Sequence, residues 1–262
     1  DLGFVVGGAQ SGGTEPLLVR ASGPALAQFN VEGRLPDPLL QLLNADAGNA
    51  LLASDAGWQG SVSISSTAAA VGAFAWTDPS SLDSALVESL APGLYVAQIS
   101  GDSGDTGQAL GEVYDATPSA DYAAASPRLI NASSRATVGG QSGSILTLGF
   151  VVGGTASRTL LIRASGPALA EFDVPGTLAD PQLQLFATGG ASPYLLATDA
   201  GWAGNPTIAA AATDVGAFAW SNPASADSAL LVTLPPGNYT VQISSASGAN
   251  AGITLGELYE VR

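Results

Sequence analysis

The chain has no cysteine and no histidine, and its seven basic residues are all arginine. Without cysteine there is no disulfide to staple the fold and no thiolate to act as nucleophile. Without histidine the usual general base near neutral pH and the commonest transition-metal ligand are missing. Without lysine, amine cross-links and lysine-based chemistry are excluded. Positive charge is scarce: 7 basic residues against 22 acidic ones leave a net charge of −15 over 262 residues. A surface of that sign repels nucleic acid and anionic membranes, and it favours solubility or cation binding. No run of about 18 apolar residues occurs, so no membrane-spanning helix is expected. No basic segment leads into an apolar core, so any signal peptide is expected to have been removed already. What is present is a chain 46% hydrophobic, enough for each half to bury a core, with Gly, Ser, Thr and Ala between its apolar runs. That composition points to a secreted bacterial surface protein, extracellular or held at the cell surface.

A tandem repeat organises the sequence. LLVRASGPALAQF from Leu17 returns as LLIRASGPALAEF from Leu160, and LLASDAGWQG from Leu51 returns as LLATDAGWAG from Leu195. VGAFAW recurs at Val71 and Val215, and LGEVYD from Leu110 returns as LGELYE from Leu255. The expected domains are residues 1–116 and 128–262, joined by an Ala/Ser/Pro-rich, semi-rigid stretch over 117–127.

Within each copy the hydrophobic period is two. Tyr239, Val241 and Ile243 fall on one face of a strand, with Asn238, Thr240 and Gln242 on the other. Pro-Gly, Asp-Pro and Asp-Ala-Gly-Trp turn signals separate such runs. The single helical candidate is Ser-Gly-Pro-Ala-Leu-Ala, with Ser22 or Ser165 as its cap and proline just inside. The fold class is all-β: two tandem antiparallel β-sandwich domains, jelly-roll or PPC-like, each strand with one buried and one wet face.

The run DPLLQL, LLASDAGW, a Gly-Ala-Phe stretch and LAPGLYVAQISG resembles the bacterial pre-peptidase C-terminal (PPC) type of β-sandwich over about two thirds of each copy. The pattern RLINASSRATVG, LGFVVGG, LLIRASGPALAEF and GELYE is similar to a repeat of large secreted proteins of Verrucomicrobia-like bacteria, and covers essentially the whole chain. That second resemblance implies surface location and modularity, and no catalytic role. Its unit begins with an RLIN-type strand, which copy one lacks.

Several residues invite a chemical reading. Gly101-Asp102-Ser103-Gly104 reads as a serine-protease tetrad, but with no histidine to take the serine proton it is read as a hairpin loop. Arg20 and Arg163 end apolar strands and are expected in buried ion pairs, with Glu112 and Glu257 or with Asp37 and Asp180. Asp55, Asp199, Asp83 and Asp227 sit in turns, where the alternative to backbone bonding is a Ca²⁺ site. Trp58 and Trp202, with Trp76 and Trp220, are core plugs or else a sugar-stacking platform.

Segment 128–138 alternates as a strand and can complete one sandwich, not two. Copy one begins at Leu2 inside what is a strand in copy two, so an open edge is expected there. The expected assembly edge is Leu2 and Phe4 in copy one, with Leu129, Ile130, Ala132, Ala136 and Val138 as the matching strand. Either the sequence is part of a longer array, or edges pair without full complementation. The function expected is a non-enzymatic structural repeat protein, self-associating into a fibre or surface layer, with no cofactor. The alternative is an adhesion or carbohydrate-binding module that takes glycans and calcium.

Overall fold

Strand alternation and turn chemistry decide this architecture, described by a computed structural model for residues 1–8, 12–118, 120–121, 126–140, 144–188, 190 and 192–261. The chain divides into two units, Asp1–Ile130 and Asn131–Arg262. The first carries β1 (Leu2–Gly7), β2 (Glu15–Ser22), β3 (Pro38–Asn44), β4 (Ala50–Asp55), helix α1 (Val62–Ala70), β5 (Ser84–Leu90), β6 (Gly93–Gly101) and β7 (Leu110–Asp115). The second begins within β8 (Arg128–Gly139) and continues through β9 (Leu146–Val152), β10 (Arg158–Ser165), β11 (Pro181–Ala187), β12 (Tyr194–Asp199), α2 (Pro206–Asp214), β13 (Ser228–Leu234), β14 (Gly237–Ser245) and β15 (Ala251–Val261). The division falls three residues into β8, where the sequence repeat starts copy two at Arg128.

Both units are antiparallel β-sandwiches. In the first, one sheet runs β1-β6-β3-β4 and the other β5-β2-β7; in the second, the sheets run β9-β14-β11-β12 and β13-β10-β15-β8. Successive strands alternate between the two sheets of a unit except at the hairpins β3–β4 and β11–β12. The Pro-Gly turn into β6 is tied by the Tyr95 hydroxyl, which donates to Ala91 O at 2.8 Å, and Tyr239 does the same to Pro235 O. Inward-facing residues meet between the sheets: Phe4, Leu17, Val19, Leu40, Leu42 and Tyr95 in the first unit, Ile162, Leu183, Leu185, Val241 and Ile243 in the second.

Two features differ from the sequence expectation. β2 and β10 are buried on both faces, because a second apolar layer covers their outer side. In the second unit that layer packs Trp202, Ile208, Ala211, Ala212 and Trp220 onto Leu161; in the first, Ala68 and Ala73 meet Leu18. It is built partly by α1 and α2, two nine-residue helices that the period-two reading passes over. Ser61 caps α1 by accepting from Ile64 N, Asn205 caps α2 by accepting from Thr207 N, and Gly72 and Gly216 take positive φ just past their ends.

Glu15 opens β2 and lies fully inside, next to Asp115. Burial pushes its carboxyl up to about 8 from 4.5, Asp115 adds to the rise, and Thr117 and Arg128 oppose it. The repeat places Arg158 and Glu260 at the matching positions, and there they form an ion pair at 3.3 Å. A carboxyl whose folded-state pKa is raised contributes stability in full below its unfolded value and loses it as pH rises through the folded value. The first unit is therefore expected to weaken as pH rises from 4.5 to about 8. Hydrogen exchange across β2 and β7, followed against pH, should show that slope. Glu15→Gln should flatten it, and an unchanged slope would contradict this role for Glu15.

Candidate functional site: a buried arginine centre in each unit

The sequence places one arginine at the end of an apolar run in each copy, and the sandwich closes around it. Arg20 and Arg163 are each 1% exposed. Arg20 Nε lies 3.4 Å from Glu112 Oε2, and Arg163 Nε lies 3.6 Å from Glu257 Oε2. Both are charge contacts somewhat longer than a hydrogen bond. The strand pairing forces the meeting, since Arg20 stands opposite Glu112 on β7, and Arg163 opposite Glu257 on β15. This selects the glutamates over Asp37 and Asp180 as the partners. Those aspartates instead receive the loop after β6 or β14: Ser103 N donates to Asp37 at 3.0 Å and Ser247 N to Asp180 at 2.9 Å.

The rest of each centre is aromatic and hydroxylic. The Arg20 guanidinium stacks 4.4 Å from the Phe74 ring centroid and 4.3 Å from that of Trp76, and Arg163 repeats both distances with Phe218 and Trp220. Its terminal nitrogens donate to Phe74 O at 3.0 Å and, in the second unit, to Phe218 O at 2.9 Å. Ser22 and Ser165 each accept from a tryptophan indole at 3.1 Å and donate to the glutamate at 3.2 Å. Tyr114 and Tyr259 hydroxyls donate to the other glutamate oxygen at 2.6 and 2.7 Å. Burial pushes the Arg20 pKa down while Glu112 pulls it back up. Burial also pushes Glu112 and Glu257 up, against the arginine, tyrosine and serine contacts that hold them charged. Both tyrosines are pushed up, first by burial and then by the carboxylate beside them. Cation, carboxylate, hydroxyls and rings thus partner one another in a nearly enclosed centre, with Arg20 Nε and Arg163 Nη1 left without a hydrogen-bond acceptor. Ser22 and Ser165, expected as helix caps, serve this network instead.

The cap comes from Asp83 and Asp227, both fully buried. Asp83 Oδ1 accepts from Gly23 N at 2.7 Å and both its oxygens accept from Ala25 N at 3.1 Å, at the start of the 3₁₀ turn Pro24–Phe29. Asp227 does the same for Gly166 and Ala168. A side chain at Gly23 or Gly166 would stand 2.2 Å from the Leu35 or Leu178 carbonyl oxygen, so only glycine fits there. Asp55 and Asp199 accept from Ala85 N and Ala229 N at 2.9 and 3.0 Å, joining the end of β4 or β12 to the start of β5 or β13. The four carboxylates weighed as calcium ligands are engaged by backbone donors. Among the described residues, no group of three or more acidic side chains could hold a metal ion.

Trp58 and Trp202 are 6% and 7% exposed, and their indole N–H groups donate to Ser81 and Ser225 at 3.1 Å. Their rings meet Trp76 and Trp220 edge-on at 5.5 and 5.4 Å. They are core plugs, and the stacking platform weighed for them has no presented face.

The expected assembly edge also moves. Phe4 lies in the first core, and Leu2 and Leu129 pack against it. Ile130 reaches to 2.9 Å from where a side chain on Gly7 would begin. Val138 is in the second core with Ala136 against it, while Ala132 stands opposite Leu258. Residues 131–139 run along β15 in the second unit, so among the described residues the first-unit strand that lacks this neighbour is β7, not β1 at Leu2. Sequence reasoning also missed Phe74, Phe218, Tyr114 and Tyr259, whose signal lay in the repeated Gly-Ala-Phe-Ala-Trp and Gly-Glu-x-Tyr spacings.

No protein-family model matches the chain, and no curated protein matches it. Among solved structures the chain is similar to the STIV MCP, at 10% identity and a TM-score of 0.25, covering 98% of this chain and 90% of that one. It is also similar to a chain in the atomic structure of Sulfolobus Turreted Icosahedral Virus, at 9% identity and a TM-score of 0.25 over 98% and 85% of the two chains. A third similar structure is the infectious bursal disease virus VP2 subviral particle, at 10% identity and a TM-score of 0.24 over 99% and 68%. At those scores the likeness carries no inference about function.

Proposed function

We propose that this chain is a non-catalytic, secreted structural protein whose copies join through strand edges into a fibre or surface layer. The observation that carries this reading is an apolar edge strand in each unit. β4 and β12 end their sheets, with Leu51 and Leu52 exposed by 55% and 48% and Tyr194, Leu195 and Leu196 by 70%, 43% and 42%. An edge strand offers unpaired N–H and C=O groups, and soluble proteins commonly blunt it with lysine or proline. Here there is no lysine anywhere, and leucines stand on the edge itself. A copy with two such edges grows into a chain of copies wherever the contacts do not close on themselves. The closed arginine centres and the absence of histidine and cysteine support a non-catalytic role, and the acidic, lysine-free composition supports an extracellular one.

Negative-stain microscopy tests the reading. Wild-type protein is expected to form fibres or sheets, and Leu52→Lys with Leu196→Lys is expected to leave dispersed molecules of unchanged fold by circular dichroism. Either single variant should stop at dimers if like edges pair, or at monomers if β4 pairs with β12. Wild-type protein dispersed at every concentration would overturn the proposal.

A further inference from the structure

The geometry points to a second self-contact, made by a face rather than an edge: the outer side of the β1-β6-β3-β4 sheet packs, as a transient two-fold contact, against the same side of a second copy of this chain. It goes beyond the β4 and β12 edges and does not depend on them.

Alternation puts Phe4, Leu40, Leu42, Tyr95 and Ala97 in the core, so their chain neighbours point the other way. Gly3, Val96, Leu43 and Leu51 stand side by side across the four strands, and Val5 stands opposite Leu94. Leu94 is 47% exposed, and Leu51 and Leu52 carry the apolar surface on to the edge. The next row is Gln98, Gln41 and Ser54, with Leu39 opposite Ser100 beyond it. The partner sheet of the unit has its outer side covered by the α1 layer, whereas Val5, Leu43, Leu94 and Val96 belong to no buried cluster.

The second copy of the repeat keeps the strands and changes this face. It holds Asn238 in the place of Leu94, Thr240 in that of Val96 and Gln182 in that of Leu39, while Val151, Phe186 and Leu195 stay apolar. The sandwich therefore does not need leucine or valine at those three positions. The first unit presents apolar surface that its twin folds without, and surface of that kind marks an interaction site.

Charge selects a second copy as the occupant. The chain carries a net −15, so most approaches of two copies bring carboxylates together. Across these rows no charged side chain points outward. Asp1 and Asp46 stand at the rim, accepting from Gln98 Nε2 at 3.4 Å and Leu94 N at 2.9 Å. With no basic residue the face offers nothing to an anionic lipid headgroup, and with no aromatic ring it has nothing on which a sugar would stack. Four strands about 4.8 Å apart, with about six residues each at about 3.3 Å, make a face of roughly 400 Å². Two such faces cover roughly 800 Å² together, below the range of a stable dimer and within that of a transient contact.

The chain has no cysteine, so single introduced thiols report the contact. Val96→Cys treated with a short bis-maleimide is expected to give a cross-linked dimer about tenfold faster than Thr240→Cys, the matching place in the second unit. Adding Leu39→Gln and Leu94→Asn, the residues of the second copy, should slow the reaction about tenfold and leave circular dichroism unchanged. Equal rates for Val96→Cys and Thr240→Cys, or a rate that the two added substitutions do not alter, would overturn the inference. So would a thiol at position 96 shielded from a monofunctional maleimide in a molecule that sediments as a monomer, because the chain itself would then cover the face. Fibres without this cross-link would remove the inference and leave the proposed function standing; the cross-link without fibres would do the reverse.

Discussion

Arg163→Ala is expected to destabilise the second unit by about 3–5 kcal/mol. The change leaves Glu257, itself nearly inaccessible, with Tyr259 and Ser165 as donors but no cation. It also removes the planar group packed against Phe218 and Trp220, opening a cavity where two rings had a cation 4.3–4.4 Å away. Arg163→Met separates the two effects, since it restores volume without charge. Combining it with Glu257→Gln should recover much of the loss, because a buried pair replaced as a pair costs far less than one partner removed alone. Urea unfolding read by hydrogen exchange in the second unit would measure all three variants. A loss below about 1 kcal/mol for Arg163→Ala would contradict this account of the centre.

The second large effect is expected at Asp227→Ala, about 3 kcal/mol, through lost hydrogen bonds rather than lost charge pairing. Asp227 accepts from Gly166 N at 2.7 Å and Ala168 N at 3.2 Å, and lies in a site without exposure. With the carboxylate gone, two buried amides at the mouth of a 3₁₀ turn have no acceptor, and the close seat of Gly166 against Leu178 O admits no shift that would find one. Asp227→Asn keeps one acceptor oxygen and should cost roughly half as much. Exchange at Gly166 and Ala168 should accelerate in step with the stability loss. Unchanged exchange at those two amides would show that the cap is made some other way.

Much of the architecture was legible in the sequence because the two copies report on each other. Period-two alternation marked the strands around Tyr95 and Tyr239, and the matched motifs gave two sandwiches. Arg20 and Arg163 read as buried because each stands alone in a run of apolar residues. The helices were hidden because Ser63-Ile-Ser-Ser-Thr-Ala-Ala-Ala has no amphipathic stripe; the Asn205-Pro206 start and the glycines at 72 and 216 were the local signals. The aspartates looked like turn residues or calcium ligands because a cap bonded across 60 positions leaves no mark in local spacing. The edge was misplaced for a related reason. The absence of an RLIN-type strand was plain, but only the sheet order tells which strand it lies beside.

The long reach of these contacts has a consequence for how the chain comes into being. Asp83 and Gly23 are 60 positions apart, and Ser22 and Glu112 are 90 apart. Contacts so distant along the chain close late, and a fold built from them forms slowly. Until Glu112 has emerged, a growing first unit holds an unpaired arginine among strands that cannot yet bury their leucines. The second copy then arrives with a nearly identical last strand, so β15 competes as a wrong partner for β2, and β7 for β10. Synthesis from the N-terminus removes that competition, because β7 is available roughly 140 residues before β15 and can be locked in place while no rival exists.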